Sequence, residues 1–111
     1  MLSMRDSTRD QCIGVYEVLT GLQPSVLVYR SERAQNLLLL GHRDKLDREA
    51  KAFDMSSLDE VATAVVACRV LRMRKRCIEL ARLGIELAKT EALGYWVESF
   101  DAFLARLDRK R

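Results

Sequence analysis

Across 111 residues the chain holds a single proline, Pro24, and five glycines, no two of them adjacent. A β-sheet of this length needs turn residues every few positions, and six scattered ones cannot punctuate it. Leu, Ala, Arg and Glu, all good helix formers, fill the space instead. The fold class expected is therefore all-α. Apolar residues at 49% and charged residues at 32% give the balance of a folded chain rather than a disordered one. The length suits one domain, residues 1–111, with no room for a separate catalytic or regulatory module.

Breaks in the apolar periodicity predict four helices. The first covers about residues 8–20, with Ser7 as N-cap and Gly21 and Pro24 as its stop. Its apolar spacing is Cys12, Val15, Tyr16, Leu19 and Leu22. The second covers 24–53, with a stripe through Val28, Leu38, Leu39, His42, Leu46, Ala50 and Phe53. Its run Leu37-Leu38-Leu39-Leu40 is apolar nearly all round. Ser57 and Glu60 read as a capping box opening a third helix from 58 to about 87 or 92. That helix carries two stripes about 130° apart, Met73, Cys77, Leu80, Gly84 and Leu87 against Ala67, Leu71, Ile78 and Ile85. Gly94 is the expected stop. The fourth helix, 95–108, has the stripe Trp96, Val97, Phe100, Phe103, Leu104 and Leu107.

The architecture these spans predict is an antiparallel bundle of about four helices built on a long central hairpin of the second and third. A straight helix of thirty residues would be about 45 Å long, whereas a compact domain of this size is roughly 35 Å across. The third helix must therefore bend, with Gly84 the expected place, or overhang its neighbours.

Several chemistries lack their residues. His42 is the only histidine, which leaves no di-metal Glu-x-x-His pair and no H-E-x-x-H zinc site. With Leu38 and Leu46 on either side of it, His42 is expected at the edge of the core in a structural role. Cys68 and Cys77, nine residues apart on one continuous helix, would face opposite ways about 13 Å apart along the axis. That spacing excludes a shared disulfide or zinc ion while the helix is intact, and Cys12, Cys68 and Cys77 are expected to be buried hydrophobes. No glycine-rich phosphate cradle and no nucleophile elbow occurs. Several carboxylates, Asp44, Asp47, Glu49, Glu79 and Glu86 among them, sit three or four residues from a cation. The expectation is a chain without catalytic, cofactor-binding or metal-binding residues, and not an enzyme.

Charge points in two directions. Net charge is +3, and the excess lies wholly in residues 56–111, where eleven cations face eight acids. Arg outnumbers Lys fourteen to five, which favours bidentate or stacked cation contacts. From Val61 to Ile78 there is no acid, and Arg69, Arg72 and Arg76 fall within about 60° of one another on a continuous helical wheel. Such a row could contact phosphates, although no aromatic residue is interleaved for base stacking. The N-terminus MLSMRDSTRD is charged within five residues, and the longest uncharged stretch is residues 18–29. A cytoplasmic, reducing setting with no membrane contact is expected.

The favoured function is a non-enzymatic protein–protein interaction module: an adaptor, a chaperone-like or regulatory subunit, or a small inhibitor of a larger machine. Surplus apolar surface predicts self-association through Leu37, Leu40, Leu71, Ile78 and Ile85. The alternative is a nucleic-acid-binding helical protein that uses Arg69, Arg72 and Arg76.

Overall fold

The computed structural model describes residues 6–109, all of whose regular structure is helical: α1 (Asp6–Leu22), α2 (Leu27–Leu39), α3 (Arg43–Lys51), α4 (Leu58–Val70), α5 (Arg74–Thr90) and α6 (Gly94–Arg109). The all-α expectation holds, but the helices number six rather than four, and each of the two long predicted helices is broken in two. Their central hairpin does not form.

Both breaks follow from how the preceding helix ends. After α2, Gly41 takes a left-handed conformation with φ +86°. Its N–H donates to the Leu38 carbonyl (3.0 Å) and the His42 N–H to the Leu37 carbonyl (2.9 Å), the two bonds of a Schellman cap. α4 ends the same way without a glycine. Arg72 sits at φ +63°, with Arg72 N–H bonded to Arg69 O (3.0 Å) and Met73 N–H to Cys68 O (2.8 Å). α5 ends on a third such cap at Ala92, φ +56°. A left-handed non-glycine residue costs about 1–2 kcal/mol, so nothing in the residue types at 72 and 92 announces a stop. Gly84 lies inside α5 and bends nothing, and Gly94 opens α6 rather than closing α5. Ser7 and Gly21 lie within α1 rather than flanking it.

α4 is the hub. Leu58, Val61, Ala62, Ala64, Val65, Val66, Ala67 and Cys68 are all buried, so apolar residues cover most of the circumference of this helix, as packing against three others requires. α2, α3 and α5 pack on it, and α6 packs on α5 with a light touch on α2. The Ser57 hydroxyl accepts from the Glu60 N–H (3.3 Å) and starts α4. α6 contributes Phe100, Phe103 and Leu107 to the core. Gly84 lets α5 and α6 meet: a Cβ there would lie 2.6 Å from the Phe100 ring. α1 packs on α2 and on no other described helix.

Polar contacts tie the outer helices on. The Arg33 guanidinium forks onto both Glu49 carboxylate oxygens (3.0 and 2.9 Å) and also donates through Nε to Glu17 (3.0 Å), linking α2 to α3 and α1. The bonded Glu49 carboxylate raises the pKa of Arg33 against the opposing effect of its burial. Arg30, only 4% exposed, donates to the carbonyls of Pro24 and Asp59, to the Thr63 hydroxyl and to the Asp59 carboxylate. Its guanidinium carbon lies 5.7 Å from the centre of the Trp96 ring.

Candidate interaction surfaces

Three surfaces stand apart from the packed core. The first is the outward side of α1. By the rule of 3.6 residues per turn, Gly21, Gly14, Ser7, Val18, Gln11, Leu22 and Val15 cover an arc of about 120°, and all seven are exposed. None is charged. Val15, Val18 and Leu22 remain 57%, 64% and 72% exposed. α1 rests on α2 through its other side, where Ile13 is buried, Tyr16 stacks on Tyr29 with ring centres 6.5 Å apart, and Arg9 reaches Asn36 (3.4 Å). Sequence periodicity placed Val15 and Leu22 on the packed stripe. They face away because arginine, threonine and tyrosine share the packed side with Ile13, a mixture that apolar spacing alone cannot detect.

The second surface is an open cleft of about 700 Å³ between the start of α2 and α6, lined among others by Val28, Glu32, Tyr95, Glu98, Arg69 and Arg106. The third is the corner between α4 and α5. There Arg72, Arg74 and Lys75 are exposed, and Arg74 donates through Nη1 to the Leu107 carbonyl of α6 (3.1 Å).

The residues singled out from sequence are placed as follows. Leu37 (4% exposed) and Leu71 (8%) belong to the core, and Leu40, Ile78 and Ile85 are half-buried against it. Helices of the same chain cover Leu37 and Leu71, while Leu40, Ile78 and Ile85 keep part of their surface open. Arg69 and Arg76 lie on different helices on either side of the α4 cap, with Arg72 in the turn between them, so the continuous row drawn on one wheel does not exist. The Arg69 guanidinium covers Phe103 at 5.9 Å. The Arg76 guanidinium covers Phe53 at 6.0 Å and donates through Nε to the Ala50 carbonyl (3.1 Å) at the end of α3. His42 is exposed in the α2–α3 turn rather than at the core edge, because the cap at Gly41 removes it from the stripe it would share with Leu38 and Leu46.

Cys68 and Cys77 are also not on one helix. Both are fully buried, Cys68 on α4 and Cys77 on α5, where the Cys77 thiol donates to the Val65 carbonyl (3.5 Å). Burial pushes the Cys77 thiol up to about 12 and raises Cys68 as well. A thiol attacks as its thiolate, so both should be inert to a thiol reagent at pH 8 in the folded protein. Half-buried Cys12 should react alone, and all three should react in guanidinium. Labelling of two or three thiols under native conditions, counted by mass spectrometry, would contradict this packing. Among the described residues no group of three or more His, Cys, Asp or Glu side chains comes together as a metal ion requires.

No helix is long and apolar enough to cross a membrane among the described residues. Comparison of the chain with protein-family models, with curated proteins and with solved structures finds no match.

Proposed function

We propose that this chain is a non-catalytic protein-interaction module that associates with a second copy of itself through the outward face of α1. The supporting observation is the uncharged arc bearing Val15, Val18 and Leu22 on a helix that packs against one neighbour only. Contiguous exposed apolar surface of this kind marks an interface more often than not. A second copy is the simplest occupant, because an uncharged face meets its own image without repulsion. The glycines support the same reading. Gly14 and Gly21 each cost a helix about 1 kcal/mol relative to alanine, and a Cβ at either position would have nothing within 4 Å. No contact among the described residues therefore requires them, whereas a helix approaching from outside would use the space.

Sedimentation of the purified protein tests this. Wild type should associate as concentration rises from micromolar to hundreds of micromolar, and Val18→Glu/Leu22→Glu should remain monomeric with unchanged helical content. A wild-type protein that stays monomeric throughout, or a double variant that associates as well as wild type, would overturn the reading.

A further inference from the structure

We infer that the α4–α5 corner together with the C-terminal half of α6 is a cationic site for the phosphodiester backbone of duplex nucleic acid, independent of the α1 face. The fold assembles it from segments far apart in sequence. Arg69 and Arg106 both line the α2–α6 cleft. The bond from Arg74 to the Leu107 carbonyl joins the start of α5 to the end of α6. Lys75 and Arg76 lie beside Arg74 around a shallow hollow whose one acid is Glu79. Arg72 projects from the turn between the two helices and is exposed, as are Lys75 and Arg106.

The local electrostatics run against stability. α5 has no acid in its first turn and opens on Arg74, Lys75 and Arg76, after an N-cap residue, Met73, whose side chain makes no capping bond. Cations at the positive end of the helix dipole weaken the helix. α4 shows the opposite arrangement, with Asp59 and Glu60 in its first turn and Ser57 as cap. Two of the three cations that open α5 also bond carbonyls at the ends of other helices, Arg74 to Leu107 and Arg76 to Ala50, so the corner holds its cations in place beside exposed Arg72, Lys75 and Arg106. The aromatic rings nearby decide which nucleic acid fits. Phe103 is buried and Phe53 half-buried beneath Arg69 and Arg76. The exposed ring of Tyr95 belongs to the first turn of α6, about 16 Å along the helix axis from Arg106, so no exposed ring among the described residues adjoins the cations for an unpaired base to stack on. Recognition then rests on phosphates, independently of sequence, and favours a duplex over a single strand.

Fluorescence anisotropy with a labelled duplex DNA of mixed sequence, a thymidine single strand of equal length and vesicles of anionic phospholipid tests the proposal. Three contacts, from Arg72, Lys75 and Arg106, give a log–log salt slope of about −2.7 and an affinity loss of about 40-fold between 50 and 200 mM salt. Lys75→Glu/Arg106→Glu should abolish duplex binding. Thermal melting of the same variant separates the cases: binding lost in a protein that melts within a few degrees of wild type is lost contact, not lost folding. Arg43→Glu/Lys89→Glu removes as much charge from exposed positions outside the corner and should bind within a few-fold of wild type. The proposal is overturned by absence of duplex binding at low salt, by equal loss in the control variant, or by tighter binding to the single strand or the vesicles.

Discussion

Replacing Arg30 with alanine should lower the stability of the fold by about 3 kcal/mol, the scale of losing several hydrogen bonds from a charged donor at about 1.5–3 kcal/mol each, less what water restores, together with the packing of its buried stem. In a domain of about 100 residues that is a fall of roughly 12 °C or more in Tm. The reason lies in what one guanidinium connects. From α2, Arg30 satisfies the Pro24 carbonyl in the preceding turn and the Asp59 carbonyl, the Asp59 carboxylate and the Thr63 hydroxyl on α4, while it lies beside Trp96 of α6. Removing it strands the carbonyls and opens a gap beside the Trp96 ring. Arg30→Lys should recover little, because an ammonium on a flexible stem cannot span the same acceptors. Asp59→Asn should cost less than about 1 kcal/mol, since that side chain is 68% exposed and water replaces its partner. Urea unfolding of the three variants separates these cases. An Arg30→Ala protein as stable as Asp59→Asn would show that the α2–α4–α6 junction does not depend on this side chain.

Gly84→Ala should destabilise by about 2 kcal/mol, although alanine is the better helix former by about 1 kcal/mol. The new methyl would meet the Phe100 ring at 2.6 Å. Phe100 is fully buried and cannot swing into solvent, so α5 and α6 must part, at the usual cost of an overpacked core, about 1–3 kcal/mol. Phe100→Leu removes the atoms in the way. The double variant should therefore lose less than the sum of the two single losses, the signature of direct contact. Gly14→Ala is the control: in open space on α1, it should stabilise the monomer. Additive losses at 84 and 100 in thermal unfolding would show that the two helices do not touch there.

The functional surfaces were only partly legible. The alternative nucleic-acid reading drew its cations from composition, since an acid-free run from Val61 to Ile78 is visible in any one-dimensional scan. It assigned them to one wheel, and the turn at Arg72 invalidates that geometry while bringing Arg106 and Arg74 of other segments into play. The expected interface residues failed as an exposed patch for the same reason. Leu37, Leu71 and their neighbours looked surplus only while α2 and α3, and likewise α4 and α5, were counted as single rods with a limited inner side. Broken in two, the rods become shorter helices, α2, α3 and α5 of which pack around α4, and Leu37 and Leu71 fall in the core.

What the sequence determined by itself is the helical class, the Ser57 start of α4 and the packed stripe of α6 at Phe100, Phe103 and Leu107. Each of these depends on residues a few positions apart along the chain, through 3.6-residue periodicity, hydroxyl capping and the shortage of turn formers. Only the tertiary structure decided where the long helices break, which side of α1 faces out, and which thiols and cations become neighbours. Arg72 and Ala92 adopt left-handed conformations with no glycine to announce them. A conformation that costs about 1–2 kcal/mol locally is held when the turn it makes packs α5 onto α4 and α6 onto α5, burying Cys77, Leu80, Ala81 and Phe100 at 6% exposure or less. Apolar burial of about 25 cal/mol per Å² over contacts distant in sequence outweighs that local cost, and no short window of the chain contains the partners that supply it.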